Sequence, residues 1–123
     1  MIYFSVAVGG AVGAVLRYAA TGWMHTWTGL VFPIGTLTVN VVGSLLIGVV
    51  LELTTNRFLV PLETRLLLTT GFCGGLTTFS TFSYETLALL QEQQWLPAAG
   101  NMALNGVLCL AATALGVLLA RTL

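Results

Sequence analysis

Apolar residues along the chain are grouped into four long stretches that are separated by short polar segments. The stretches run over about residues 2–20, 33–53, 61–90 and 96–120. The segment 21–32 between the first two stretches is rich in Trp, Thr and Gly and is predicted to be a loop. A helix needs about 20 residues to cross a bilayer, so each stretch is long enough to span a membrane. The pattern predicts an all-α membrane protein, with a single four-helix transmembrane domain over residues 1–123.

The third stretch is too long for one straight crossing of the membrane. A continuous helix of about 30 residues would reach roughly 45 Å, whereas the hydrocarbon core is about 30 Å thick. Gly74 and Gly75 are followed by a cluster of threonines and serines. Glycine disfavours a helix interior, and Ser and Thr compete for backbone hydrogen bonds. The third helix is therefore predicted to break in the middle of the membrane.

The composition supports a membrane protein and excludes several functions. Apolar residues make up 57% of the chain and charged residues only 7%, whereas soluble domains are about 25% charged. There is no lysine and no basic tract, which argues against nucleic-acid binding. There is also no Ser/His/Asp set and no HExxH, CxxC or phosphate-binding motif. An enzyme is therefore not predicted.

Small residues recur four positions apart on three of the predicted helices: Gly9 and Gly13, Ser44 and Gly48, and Gly71 and Gly75. This spacing lets helix backbones approach closely. A bundle of four short helices has little room for a pore of its own. The chain is therefore predicted to work as an oligomer, most simply a homodimer.

The charged residues orient the chain only weakly. Arg57, Arg65 and Arg121 fall on the side of the termini, and Arg17 and His25 fall toward the other side. The positive-inside rule leaves the orientation open at so small a difference.

Polar side chains form tracks inside three of the predicted helices. They are Thr36, Thr38 and Asn40 in the second helix, Thr77, Ser80, Thr81 and Ser83 in the third, and Asn101, Asn105 and Cys109 in the fourth. Such groups are costly in lipid and are candidates for function. They could also act only as hydrogen-bonding contacts between helices.

The chemistry of these tracks favours a small anion as the transported species. Hydroxyl and amide groups are neutral donors, and the edges of the Phe79 and Phe82 rings, one turn apart, are weakly electropositive. Glu85 is the one deep-lying carboxylate. It could drive proton-coupled transport, cap a helix, or pair with an arginine.

The segment "GGLTTFSTFSYE" resembles the signature of the CrcB/Fluc family of small fluoride channels. The surrounding pattern agrees with this resemblance: "GAVLRY" in the first helix, "GTLTVNVVGS" in the second, and asparagines in the fourth. The resemblance covers the whole chain. It implies passive export of fluoride across the bacterial inner membrane, which relieves fluoride toxicity.

The resemblance also implies an assembly and a cofactor. Family members form homodimers of oppositely inserted subunits, a dual topology, with two fluoride pathways. The third helix is broken, and a structural sodium ion lies at the dimer interface. By motif position, the backbone carbonyls of Gly74 and Thr77 would bind the sodium.

The fluoride pathway is assigned by the same resemblance. Phe79 and Phe82 match the ring pair, and Asn40 matches the asparagine of the second helix. The remaining positions are Thr36 and Thr38 beside Asn40, Ser80, Thr81 and Ser83 in the third-helix track, Glu85 as the motif carboxylate, Arg17 near the aqueous vestibule, and Asn101 and Asn105 in the fourth helix. Cys109 would be a poor donor in place of a hydroxyl.

Two other functions stay open from the sequence. Small multidrug exporters also have four short spans, but they exchange protons through a carboxylate in the first span, and this first span has none. A non-transporting subunit, whose polar tracks only join helices, is the other alternative.

Overall fold

The computed structural model describes residues 1–29 and 31–123, and these form helices without any strand. The α-helices are α1 (Ile2–Thr28), α2 (Ile34–Glu52), α3 (Leu62–Leu66), α4 (Gly74–Leu76), α5 (Phe79–Gln91) and α6 (Trp95–Arg121). Two π-helical turns complete them: Leu53–Arg57 continues α2, and Leu67–Cys73 joins α3 to α4. The all-helical prediction is confirmed.

Among the described residues, three helical segments are long and apolar enough to cross a membrane. They are Ile2–Thr28, Ile34–Arg57 and Trp95–Arg121. The third apolar stretch is instead divided among short elements, and its longest helix, α5, has 13 residues. We refer to the elements from Leu62 to Gln91 together as the composite segment.

The first helix is longer than predicted. Its last turns, Thr21–Thr28, were expected to be a loop because they are rich in Thr and Trp, but they are helical. The Thr26 hydroxyl donates back to the Gly22 carbonyl, and the rings of Trp23 and Trp27 stack with centroids 5.6 Å apart. The helix ends at Gly29, whose φ of 62° is left-handed. The predicted loop also included Leu30, which lies outside the described residues.

Helical structure stops inside the composite segment and then resumes. Thr77 (φ −91°, ψ 156°) and Thr78 (φ −151°, ψ 120°) are extended, and they separate α4 from α5. Thr78 is the N-cap of α5, because its Oγ1 accepts a hydrogen bond of 3.1 Å from the Thr81 amide. We call these two extended residues the interruption.

The small residues lie where helices touch backbone to backbone. A Cβ atom built on Gly13 would meet the Phe72 carbonyl of the composite segment, and one built on Gly71 would meet the Val6 carbonyl of α1. Likewise, Gly48 of α2 faces the Thr113 carbonyl of α6. The prediction that the small residues pack helices together is confirmed. The result is two tightly packed pairs: α1 with the composite segment, and α2 with α6.

Gly75 is the position at which this packing is easiest to test. A Cβ there would lie 2.5 Å from the Gly10 oxygen and 3.0 Å from the Ala14 nitrogen. Because both are backbone atoms that cannot move aside, Gly75→Ala is expected to destabilise the fold by about 1–3 kcal/mol. Thermal unfolding of the purified protein in detergent measures the effect. Gly100→Ala is the control, since no atom lies within 4 Å of its added Cβ; equal unfolding midpoints would contradict the packing.

Candidate functional site

A cavity of about 610 Å³ lies beside the interruption, between α2, the composite segment and α6. Six of the residues predicted for the pathway and the sodium site line it: Asn40, Gly74, Thr77, Phe79, Phe82 and Asn105. Cys109 also contributes to the wall. The lining residues carry no ionisable carboxylate, imidazole or basic group. The fold therefore brings polar groups from three helices to one neutral cavity.

Phe79 and Phe82 form a pair at one side of this cavity. Their ring centroids are 5.3 Å apart and the ring planes are inclined by 55°. This tilted arrangement is not a stack of two parallel ring faces. Phe79 is 78% exposed on the surface of the chain, whereas Phe82 is half-buried.

Asn40 connects α2 to the interruption. Its Oδ1 accepts a 2.8 Å hydrogen bond from the Thr78 amide, and its Nδ2 donates to the Thr78 carbonyl at 3.2 Å. The same Nδ2 donates to Oδ1 of Asn105 at 3.0 Å. Both amide hydrogens and the oxygen of Asn40 are thus used within the chain. Asn40 holds Thr78 in its extended conformation while it lines the cavity.

The asparagines of α6 continue this hydrogen-bond network. Asn105 donates through Nδ2 to both the Oδ1 and the backbone carbonyl of Asn101, each at 2.9 Å. Asn101 is completely buried, and Asn105 is only 6% exposed. The predicted stripe along α6 is therefore present, and it faces protein rather than lipid. Asn101 does not line the cavity.

Backbone carbonyls near the interruption are left without donors. Helical hydrogen bonding ends because the Thr78 amide donates to Asn40. Among the described residues, none donates a hydrogen bond to the carbonyls of Gly74 or Thr77. The neighbouring Gly75 carbonyl, in contrast, accepts a 3.0 Å bond from Nε of Arg17. Arg17, predicted near an aqueous vestibule, is thus anchored against the composite segment.

Comparison with known proteins shows the family of the chain. The family profile described as "CrcB-like protein, Camphor Resistance (CrcB)" matches residues 4–117. The chain belongs to the CrcB family. A relative from Geobacter metallireducens, named "Fluoride-specific ion channel FluC", is 50% identical over 97% of this chain and 96% of its own length.

Two further relatives with the same printed name are 47% identical to the CrcB chain over 97% of its length. They come from Pelobacter propionicus and Geobacter sulfurreducens, and 92% and 96% of their own lengths are covered. These names are those of channels and not of enzymes. Together with the long apolar helices, they place the CrcB chain in the bacterial inner membrane as a multi-pass protein.

A second cavity of the CrcB chain, about 440 Å³, contains Thr36 and Glu85. His25 and Glu92 also line it, at the end of the bundle where α1 finishes. The Thr36 hydroxyl faces the Glu85 carboxyl group, but Oε1 of Glu85 is buried without a hydrogen-bond donor among the described residues. The arginine partner considered for Glu85 is not found in that part of the chain. Thr36 and Glu85 thus line a different cavity from the phenylalanine pair.

The remaining predicted pathway residues line neither cavity. Ser80 and Ser83 are exposed, whereas Thr38 and Thr81 are half-buried. Ser80 lies with its hydroxyl 3.2 Å from that of Thr78. The serines of α5 therefore face outward on the surface of the chain.

Thr86 was not predicted as a site residue from the sequence. It is 6% exposed, it accepts a 2.8 Å hydrogen bond from Nδ2 of Asn101, and it donates to the Phe82 carbonyl at 2.8 Å. The available signal was a lone hydroxyl directly after the motif carboxylate, at the start of the apolar run "LALL". Its partner on α6 could not be read from the spacing.

Proposed function

We propose that this chain forms a fluoride-selective channel that lets fluoride leave the cell passively and so relieves its toxicity. The observation that carries the proposal is the tilted Phe79–Phe82 pair at a cavity without charged lining residues. Relatives named as fluoride channels match the chain over nearly its whole length.

A small, strongly hydrated anion needs replacements for the water that it loses. The cavity offers hydroxyl groups and the electropositive edges of two rings. Each of these interactions is weak, and no fixed positive charge in the lining would trap the ion. Weak and repeated sites are what conduction requires.

The proposed channel is an antiparallel homodimer with the interruption at mid-membrane. Phe79 is 78% exposed in the isolated subunit, and the serines of α5 face outward beside it. A second copy, inserted in the opposite direction, would cover this face and bring the two interruptions together. Each subunit would then supply its rings and hydroxyls to one of two pathways between the copies.

A structural sodium ion at the dimer interface fits the residues that are present. The carbonyls of Gly74 and Thr77 lack donors among the described residues, and unpaired carbonyls are costly inside a membrane. Carbonyl oxygens from two copies would give four hard ligands. When bound, the ion would satisfy these carbonyls and supply a positive charge near the pathway.

The dual topology has its own test. Single cysteines placed at Phe58 in the α2–α3 connection and at Gln93 before α6 are expected to react with a membrane-impermeant thiol reagent from both sides of the membrane. The background would be the Cys73→Ala/Cys109→Ala chain. The reason is that four arginines leave the orientation bias weak. If each cysteine reacts from only one side of the membrane, the antiparallel dimer is contradicted.

Fluoride efflux from liposomes tests the function as a whole. Purified protein is expected to release fluoride down its gradient, at a rate that does not change when a proton gradient is imposed or collapsed. In a proton-coupled exporter, the rate of efflux would change with the proton gradient. The absence of an acidic residue from α1 argues against this alternative. A subunit that only packs helices predicts no efflux at all.

A further inference from the structure

A circuit of hydrogen bonds begins in the interruption, directly before α5, and ends within α5. It leaves the interruption at the Thr78 amide, passes through the three buried asparagines, and reaches Thr86. The Thr86 hydroxyl then donates to the Phe82 carbonyl, which brings the circuit to its end in α5. The two attachment points enclose the turn of helix that carries Phe79 and Phe82. Every bond in the circuit is between 2.8 and 3.0 Å long.

We infer that Asn101 and Thr86 are positioning residues that orient the phenylalanine pair and so determine anion selectivity. The inference rests on the proposed fluoride function. Neither residue lines the cavity, and their exposures are 0% and 6%. They therefore act through α5 and not by contact with the ion.

The first turn of α5 needs such an external support. It follows two extended residues, so α4 does not determine its rotation about its own axis. The circuit instead fixes the rotation of α5, because its hydrogen bonds attach α5 to α2 and α6. Those two helices are packed backbone to backbone at Gly48 and Gly116. A rotation of α5 would displace both rings and would break buried hydrogen bonds.

The competing interpretation is that the circuit only joins helices. In that case, loss of one bond lowers stability and leaves the choice between anions unchanged. A selectivity ratio separates the two interpretations, since general loosening alters the amount of active protein but not the ratio of two fluxes through it.

Thr86→Val is the decisive variant, because it keeps the shape of the side chain and removes its hydroxyl. Thr113→Val is the matched control: its hydroxyl donates to the Ser44 and Cys109 carbonyls, both at 3.1 Å, and so also joins α6 to α2, but outside the circuit. Fluoride and chloride fluxes are measured in liposomes. The fluoride-to-chloride ratio is expected to fall about tenfold in Thr86→Val, to be unchanged in Thr113→Val, and to recover in Thr86→Ser. Equal ratios in the two valine variants would overturn the inference.

A second measurement does not depend on conduction. A fluorinated phenylalanine at position 82 reports the ring environment through its ¹⁹F resonance, which is expected to shift or broaden in Thr86→Val but not in Thr113→Val. If the unaltered chain conducts no fluoride, this shift still supports the positioning role while the proposed function fails. If the chain conducts and the resonance is the same in all variants, the positioning role is wrong. Thr86→Ala, read by the same resonance, serves if Thr86→Val does not fold.

Discussion

Replacing Phe79 or Phe82 with isoleucine is expected to lower fluoride flux by about tenfold or more. Isoleucine keeps apolar volume in the cavity but has no electropositive edge. The two rings are neighbours, with centroids 5.3 Å apart, so each replacement also removes the partner that holds the other ring at its tilt. Flux is measured as fluoride efflux from liposomes at a known protein-to-lipid ratio.

The control for this pair is Phe58→Ile, the same substitution on a ring that lies between α2 and α3 and is 60% exposed. It is expected to leave flux unchanged. All variants should elute as the same oligomer as the unaltered protein. Unchanged flux in both cavity variants would show that the rings do not meet the ion.

Exchange of sodium for a large organic cation on both sides of the membrane is expected to abolish most of the fluoride flux and to weaken the dimer. The carbonyls of Gly74 and Thr77 would otherwise remain without partners at the interface, which costs several kcal/mol for each group in a membrane interior. Flux in liposomes and subunit exchange in detergent are the two measurements.

The exchange must be long, since an ion enclosed between subunits leaves slowly. Return of sodium should restore both properties, which separates loss of the ion from irreversible damage. Unchanged flux and unchanged subunit exchange after long incubation, with no density on the axis in an experimental structure, would rule the cation site out.

Much of the architecture could be predicted from local patterns. Apolar stretches of membrane length indicated the helices, and the glycine pairs at positions 9, 13, 71 and 75 indicated close packing, because both signals are contained in short windows of sequence. The failure at Thr21–Thr28 has a physical reason. Threonine hydroxyls there bond to the helix's own carbonyls, and Trp23 and Trp27 stack across one turn. The composition of this segment, taken alone, is typical of a loop.

The site was predictable as a set of residues but not as a set of contacts. The spacing of Asn101 and Asn105 indicated one face of a helix, yet the partner of that face depends on how α6 is rotated in the bundle. The same limit explains why Thr86 was missed and why the hydrogen bond from Arg17 to the Gly75 carbonyl could not be predicted. Long-range partners of this kind are decided by tertiary packing.

The hydrogen bonds of the circuit all run in one direction, from donor to acceptor. A backbone amide can only donate, so Thr78 obliges Asn40 to present its oxygen and to pass its own hydrogen onward. Asn105 and Asn101 follow the same order: each accepts at Oδ1 and donates from Nδ2 to the next residue. No single amide can turn over alone, since two donors or two acceptors would then face each other. An asparagine continues this donor-to-acceptor order because it accepts at one atom and donates at another. An ionised aspartate would interrupt the order, because it can only accept. The orientation of a fully buried residue at one end is thereby dictated by a peptide group at the other.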